Sequence, residues 1–325
     1  MMKLSTMKKV MDTVDSEWRS PLAEFILERW GYDHGSVLCL RASANFIFQF
    51  KKDGKEYYLR FNDSCERDLD MIQAELRILQ ALNDPSLNVA QPVRSTNGSY
   101  VEAVETELGT FYAVVFEALR GKHYETTELN SQQIFLWGSS LGKLHEAFKQ
   151  LPETYEMNRP TWKDRILTIK EILPSYDKEA YEEMDRLISW ADRLNISKEN
   201  YGLIHYDFEL DNVVFEKDKI GILDFDDCSS YWYAADIIYA LREIEVFSLE
   251  SPVIKTFIEG YQSETTLDLD ILHEYDGFIR LHKLISFAKI IRSVDIEESQ
   301  EYPDWLINLR EKLCRLIEQY RPSIV

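Results

Sequence analysis

Two short segments, His205-Tyr206-Asp207-Phe208-Glu209-Leu210-Asp211-Asn212 and Leu223-Asp224-Phe225-Asp226, constrain this chain more than any other feature. Apolar residues flank both. Tyr201 to Ile204 reads as a strand running into His205, Val213 to Glu216 as a second, and Ile220 to Leu223 as a third that ends at Asp224. Polar groups at the ends of successive buried strands should converge on one edge of a small sheet, a scaffold that commonly carries a catalytic loop. Ordinary polar turns are the bland alternative, since Asp and Asn recur wherever the backbone bends. The spacing favours a site. Metal-dependent phosphoryl transfer needs a positioned hydroxyl, an acceptor for its proton and cations across the nucleotide phosphates. Asp207 can accept the proton, and Asn212 and Asp224 can offer oxygen ligands to magnesium, a hard cation.

The stretch from Gly202 to Leu241, with His-x-Asp-x-x-x-x-Asn, Leu223-Asp224-Phe225-Asp226-Asp227 and Ala235-Asp236-Ile237, resembles the aminoglycoside phosphotransferase and choline kinase group. The resemblance implies an α+β, two-lobed protein-kinase-like fold, with a small antiparallel-sheet lobe and a mostly helical lobe. It implies transfer of the γ-phosphoryl group of ATP to an alcohol with Mg2+, GTP being left open as the donor. By resemblance Asp207 is the catalytic base, Asn212 and Asp224 hold magnesium, His205 supports the catalytic loop, and Asp236 braces that loop from the following helix. One departure is visible. Many members carry Gly between the His and the Asp, whereas this chain has Tyr206, a ring expected to alter the loop or to wall the acceptor pocket.

A chain of 325 residues, 45% hydrophobic and 13% aromatic, can bury one large or two modest cores. No apolar stretch approaches the length that spans a bilayer, and Met1 to Val10 carries lysines without the apolar run of a signal peptide. A cytoplasmic protein with no membrane partner is therefore expected. Cys39, Cys65, Cys228 and Cys314 are too far apart for zinc or redox spacing, which fits reduced thiols. The formal charge of -20 argues against nucleic acid, whose phosphates require clustered Lys and Arg. Residues 1–119 carry a net -5 and residues 120–325 a net -15. That acidic field would concentrate a cationic acceptor near a cleft; an acidic surface that merely maintains solubility explains it equally well.

Along the chain, Ser20-Pro21-Leu22 with Phe25, Ile26 and Trp30 predicts an opening amphipathic helix. Strands are expected over Val37–Arg41, Phe46–Phe50 and Glu56–Phe61, the latter two joined by a Lys52-Asp53-Gly54-Lys55 turn. A helix through Leu69, Ile72, Leu76, Leu79 and Leu82 follows, then strands over Tyr100–Glu105 and Thr110–Phe116. The small lobe should end near residue 119, giving units 1–119 and 120–325. Later helices are expected over Ile134–Phe148, Lys178–Leu194, Tyr233–Phe247, Pro252–Tyr261, Leu269–Arg292 and Pro303–Tyr320.

On the nucleotide side, a kinase-like small lobe holds phosphates with a basic residue on its third strand, aligned by a Glu on the next helix. Arg60 and Glu75 occupy those places; an exposed strand Arg with a solvated Glu is the alternative. The glycine-rich phosphate loop is missing, and the family resemblance assigns its role to Ser43 and Asn45 in Ala42-Ser43-Ala44-Asn45, which also reads as a plain turn. The hinge between lobes falls at Phe116 to Leu119, with Glu117 and Leu119 as nucleotide contacts. On the acceptor side, Tyr231-Trp232-Tyr233 could wall the pocket or belong to the core, and Asp226 and Asp227 could orient an acceptor or cap a turn. The leading expectation is a nucleoside triphosphate-dependent kinase of a small molecule. A bacterial Ser/Thr protein kinase of the same fold and a non-catalytic nucleotide-binding protein are the competing readings, and the pattern sets no oligomeric state.

Overall fold

The computed structural model describes residues 1–82, 86–155, 158–244, 246–297 and 301–321. Helices α1 (Leu4–Met11) and α2 (Pro21–Leu27) open the chain, and Ser20 Oγ caps α2 by accepting from the Ala23 N–H. Strands β1 (Leu38–Ala42), β2 (Phe46–Lys52) and β3 (Lys55–Asp63) follow. Phe46, Phe48 and Phe50 are buried while the residues between them are half-exposed, the two-residue period of a strand with one face in the core. Asp53 and Gly54, with φ of 51° and 73°, form the tight left-handed turn between β2 and β3. Next come α3 (Leu69–Ala81), the two-residue strands β4 (Asn88–Val89) and β5 (Pro92–Val93), β6 (Val101–Thr106) and β7 (Gly109–Glu117). The antiparallel sheet runs β1-β2-β3-β7-β5, with β6 also on β7.

After β7 the chain turns mainly helical: α4 (Ser131–Lys149), α5 (Trp162–Ile172) and α6 (Lys178–Ala191) precede β8 (Tyr201–Ile204), β9 (Val213–Glu216), β10 (Lys219–Ile222) and β11 (Ser229–Trp232). Then come α7 (Tyr233–Ala240), α8 (Pro252–Gln262), α9 (Tyr275–Ser293) and α10 (Asp304–Tyr320). This is the expected α+β division between a sheet-bearing part and a helical part. Among the described residues no helix is long and apolar enough to cross a membrane.

Several expectations need correction. The chain opens with α1, which was not anticipated; Leu4 finds its burial far away in sequence, against Ile290, Ile296, Leu306 and Leu313. Helix α5 was also missed. The strands leading to the two motifs do not share one sheet: β8 pairs with β11, whereas β9 and β10 pair with each other and β10 also takes β4 in parallel. Helix α7 stops at Ala240 instead of Phe247, and Arg242 turns back to donate from Nη1 to the Tyr239 carbonyl. Leu269–Glu274 is a 3-10 turn ahead of α9, so the expected helix from Leu269 begins later.

Helix α4 crosses α8 at close range. A Cβ at Gly138 would stand 1.9 Å from the Phe257 carbonyl oxygen, and one at Gly260 2.1 Å from that of Phe135, so the two backbones touch where side chains are absent. Through this crossing His145 on α4 meets Tyr261 on α8. Gly138→Ala should therefore force the helices apart and lower stability by about 3 kcal/mol, a cost of overpacking measurable by urea denaturation.

Candidate active site

The loop between β8 and β9 carries Asp207 and Asn212, and its shape is fixed from below. Tyr206 has φ of 74°, a left-handed conformation that a bulky residue adopts only when its surroundings impose it. Asp236 on α7 imposes it: one carboxylate oxygen accepts the His205 N–H and the other the Tyr206 N–H, both at 2.7 Å. His145 donates to the same carboxylate from Nε2 at 3.0 Å and accepts from Tyr261 Oη at Nδ1 (2.7 Å). His145 and Asp236 are both 0% exposed, and burial lowers the imidazole pKa, consistent with a neutral ring that uses both nitrogens. His205 donates from Nε2 to the Leu223 carbonyl at 2.8 Å, joining this loop to the segment that carries Asp224.

The Tyr206 ring points away from the cleft. It is buried against Tyr231, Tyr239 and His282, with the Arg165 guanidinium 3.8 Å from its centre, so it does not wall an acceptor pocket. Tyr231, Trp232 and Tyr233 are likewise core residues.

Two adjoining cavities lie between the sheet and the helical part. One, of about 260 Å³, is lined by apolar Leu40, Ala90, Phe116, Leu119 and Val214 and by polar Arg60, Glu75, Asn212 and Asp224. Glu117 also lines it. The other, of about 120 Å³, is lined by Ser43, Asn45, Asp207, Glu209, Asp226 and Asp227. Arg41, Ile47, Asn212 and Asp224 line both. The residues expected to act as base or to contact nucleotide or metal (Ser43, Asn45, Arg60, Glu75, Glu117, Leu119, Asp207, Asn212 and Asp224) each border at least one of these spaces, whereas Tyr206, Tyr231, Trp232 and Tyr233 border neither.

Arg60 and Glu75 form a buried bidentate pair at 2.8 and 2.6 Å. Burial disfavours the Arg60 charge, but Glu75 outweighs it and the guanidinium pKa rises above its usual range. Arg60 also lies 3.6 Å from Asp224 Oδ1 and 5.0 Å from the centre of the Phe116 ring. Asn45 is engaged already: Asn62 donates to its Oδ1 at 2.6 Å, and its own Nδ2 donates to Asp226 at 3.3 Å. Arg67, just before α3, pairs with the same Asp226 carboxylate.

Asp207 receives two side-chain hydrogen bonds, from Arg242 at Oδ1 (2.8 Å) and from Asn212 Nδ2 at Oδ2 (3.0 Å). Arg242 simultaneously bonds Glu209. Asn212 spends its amide hydrogens on Asp207, leaving Oδ1 as the atom able to ligate a cation. Asp224, itself at φ 56°, is enclosed by the cleft walls yet open to the cavity, with 41% of its side chain accessible. Burial and the carboxylates of Asp226, Glu75 and Asp207 push its pKa up to about 7 against the opposing charge of Arg60. Such crowding of negative charge on hard oxygen donors fits a divalent cation. Among the described residues no three acidic, His or Cys side chains gather into an all-protein cage.

The phosphotransferase enzyme family profile matches residues 40–275, most of the chain and both motif segments. The chain belongs to this family. Amicoumacin kinase of Bacillus subtilis is 26% identical over 293 residues, covering 84% of this phosphotransferase and 86% of the relative. An amicoumacin kinase solved in complex with AMP-PNP, Ca2+ and Ami superposes with a TM-score of 0.78 at 22% identity, covering 98% of this chain and 95% of that one. A microcompartment-associated aminopropanol kinase superposes with a TM-score of 0.67 at 22% identity, covering 93% and 98%. The family and the amicoumacin kinase relative make the protein a kinase that phosphorylates a hydroxyl of a small molecule, and the two solved structures share its fold.

Sequence reasoning missed Arg67, Glu209 and Arg242. Glu209 stood inside the motif and could have been flagged by its place between Asp207 and Asn212. Arg242 lies 35 residues beyond Asp207 with no periodic signal to connect them. Replacing Asp236 by Ala should leave two backbone N–H groups and His145 without an acceptor, lowering stability by about 3 kcal/mol in chemical denaturation.

Proposed function

We propose that this phosphotransferase moves the γ-phosphoryl group of ATP, bound as its magnesium complex, to a hydroxyl of a small, amine-bearing molecule in the cytoplasm. The observation that carries the reading is the meeting of Asp207, Asn212 and Asp224 at the junction of two cavities, one shaped for a nucleotide and the other acidic. In this reading the larger cavity takes the adenine against Phe116, Leu119 and Val214, and Arg60, aligned by Glu75, meets the phosphates. Arg242 and Asn212 hold the Asp207 carboxylate in one orientation, and a carboxylate so held retains lone pairs to accept the proton of the attacking hydroxyl. Asn212 Oδ1 and Asp224 would hold magnesium, whose positive charge would offset that of the transferring group.

The lining of the smaller cavity favours a positively charged acceptor. Asp207, Glu209, Asp224, Asp226 and Asp227 surround it. Burial and the Asp207 charge push the Glu209 pKa up to about 7, opposed by Arg242, as expected where carboxylates crowd faster than cations compensate. An ammonium group would relieve that crowding. The name of the aminopropanol kinase neighbour, an alcohol bearing an amine, points the same way.

Labelled-ATP transfer across amicoumacin, aminopropanol, choline, homoserine, spectinomycin and a generic protein tests the proposal. Phosphorylation of an amino alcohol in the panel is the expected result, and transfer to the protein alone would overturn it. Asp207→Asn should retain nucleotide binding while transfer falls by about 10²–10⁴-fold, since proton acceptance and hydroxyl positioning are lost together. Asp224→Asn should weaken the magnesium dependence of nucleotide binding, read in a metal titration at fixed nucleotide.

A further inference from the structure

Cations around the cleft are nearly all committed to carboxylates. Arg60 is held by Glu75, Arg67 by Asp226, Arg242 by Asp207 and Glu209, and Arg165 and Lys289 by Asp227. Arg41 differs. It lines both cavities, its side chain is exposed, and among the described residues it forms no ion pair. Its Nε donates to Ser43 Oγ at 3.1 Å, a contact that orients the planar group and leaves both terminal nitrogens for a ligand.

The backbone explains why Arg41 stands there. Strands β1 and β2 pair Leu38 with Gln49 and Cys39 with Phe48, but the next partner of Ile47 is Arg41, so Leu40 is an extra residue and the strand bulges. In a regular strand Arg41 would share the face of Cys39, which packs against the apolar core beneath the sheet. The bulge instead lets Cys39 and Ala42 both face that core and turns Arg41 to the cavity side. There it joins one cross-strand row with Ile47 and Arg60. Strands lie about 4.8 Å apart, so the backbones of Arg41 and Arg60 are roughly 10 Å apart, with room for a polyphosphate between the two guanidinium groups.

We propose that Arg41 grips the terminal phosphates of the bound nucleoside triphosphate, opposite Arg60, in place of the glycine-rich loop this chain lacks. A planar guanidinium matches phosphate oxygens bidentately, and this one needs no partner displaced before it binds. A triphosphate entering beside Asp207, Glu209, Asp224 and Asp226 needs uncommitted positive charge, and Arg41 supplies it from the sheet side. The inference rests on the nucleotide reading given above.

Calorimetric titration of adenosine, AMP, ADP and ATP with magnesium, without acceptor, separates the two. Arg41→Gln should weaken ATP binding by about ten- to a hundredfold and leave adenosine within about twofold of wild type. Arg41→Lys, which keeps the charge but loses the fork, should fall between them. Arg41 is exposed, so neither variant disturbs the core. ATP binding by Arg41→Gln equal to wild type, or equal losses for ATP and adenosine, would overturn the role of Arg41 alone. A wild-type protein that binds none of the four would sink the nucleotide reading and this inference together.

Discussion

A single buried carboxylate ties the helical part of this protein to its chemistry. Asp236 accepts two successive backbone N–H groups of the catalytic loop and the Nε2–H of His145, in surroundings where an unpaired charge would be costly. The three donors come from two elements, so the carboxylate cannot settle unless both are in place. His145 is delivered by α4, and α4 is positioned by its glycine-lined crossing with α8, which also supplies Tyr261. The backbone leading into Asp207 is therefore fixed by helix packing, while Asn212 and Arg242 orient its carboxylate. The left-handed Tyr206 is the local sign of that dependence, a conformation a free loop would avoid.

Electrostatics in the cleft follow a second rule: each carboxylate cluster has an arginine set into it. Arg242 bridges Asp207 and Glu209, Arg60 lies between Glu75 and Asp224, and Arg67 reaches Asp226 from the segment before α3. Asp226 and Asp227 are held below the usual carboxylate range, since burial is outweighed by Arg67 and Arg60 for the first and by Lys289, Arg165 and Arg67 for the second. Asp224 and Glu209 are pushed the other way. Neighbouring carboxylates with opposed shifts divide the cleft into a structural acid pair and a pair left short of positive charge. Both pairs line the smaller cavity, where metal, phosphate and acceptor are proposed to meet.

The same contacts join the sheet to the helices. Asn45 and Arg67 on one side and Asp226 on the other form one tie. Helix α1 makes another: Ser5 bonds Asp295, and Glu66 receives the Lys3 N–H, the Thr6 hydroxyl and Arg292. The Met2 N–H donates to the Ser43 carbonyl, so α1 also reaches the turn between β1 and β2. Movement of that turn relative to α9 would have to break these polar links, which are partly exposed and individually weak.

Most of the strands and helices, the α+β character and the residues brought to the cleft were legible in the chain because they depend on local period and fixed spacing. Strand alternation at Phe46, Phe48 and Phe50, the apolar face of α3, and the intervals linking Asp207, Asn212 and Asp224 are all short-range properties. Arg60 and Glu75 could be paired because a strand and the helix after it keep their register. What depends on contacts between distant residues was not legible. Helix α1 is stabilised by partners some three hundred residues away, the two motif strands join different sheets, and Arg242 reaches Asp207 only through the fold. Side-chain direction was also a tertiary matter: Tyr206 could be read as a pocket wall, and a one-residue bulge decided that Arg41 faces the cleft. Spacing along a chain specifies which groups are available, but burial and long-range hydrogen bonding decide where each one points.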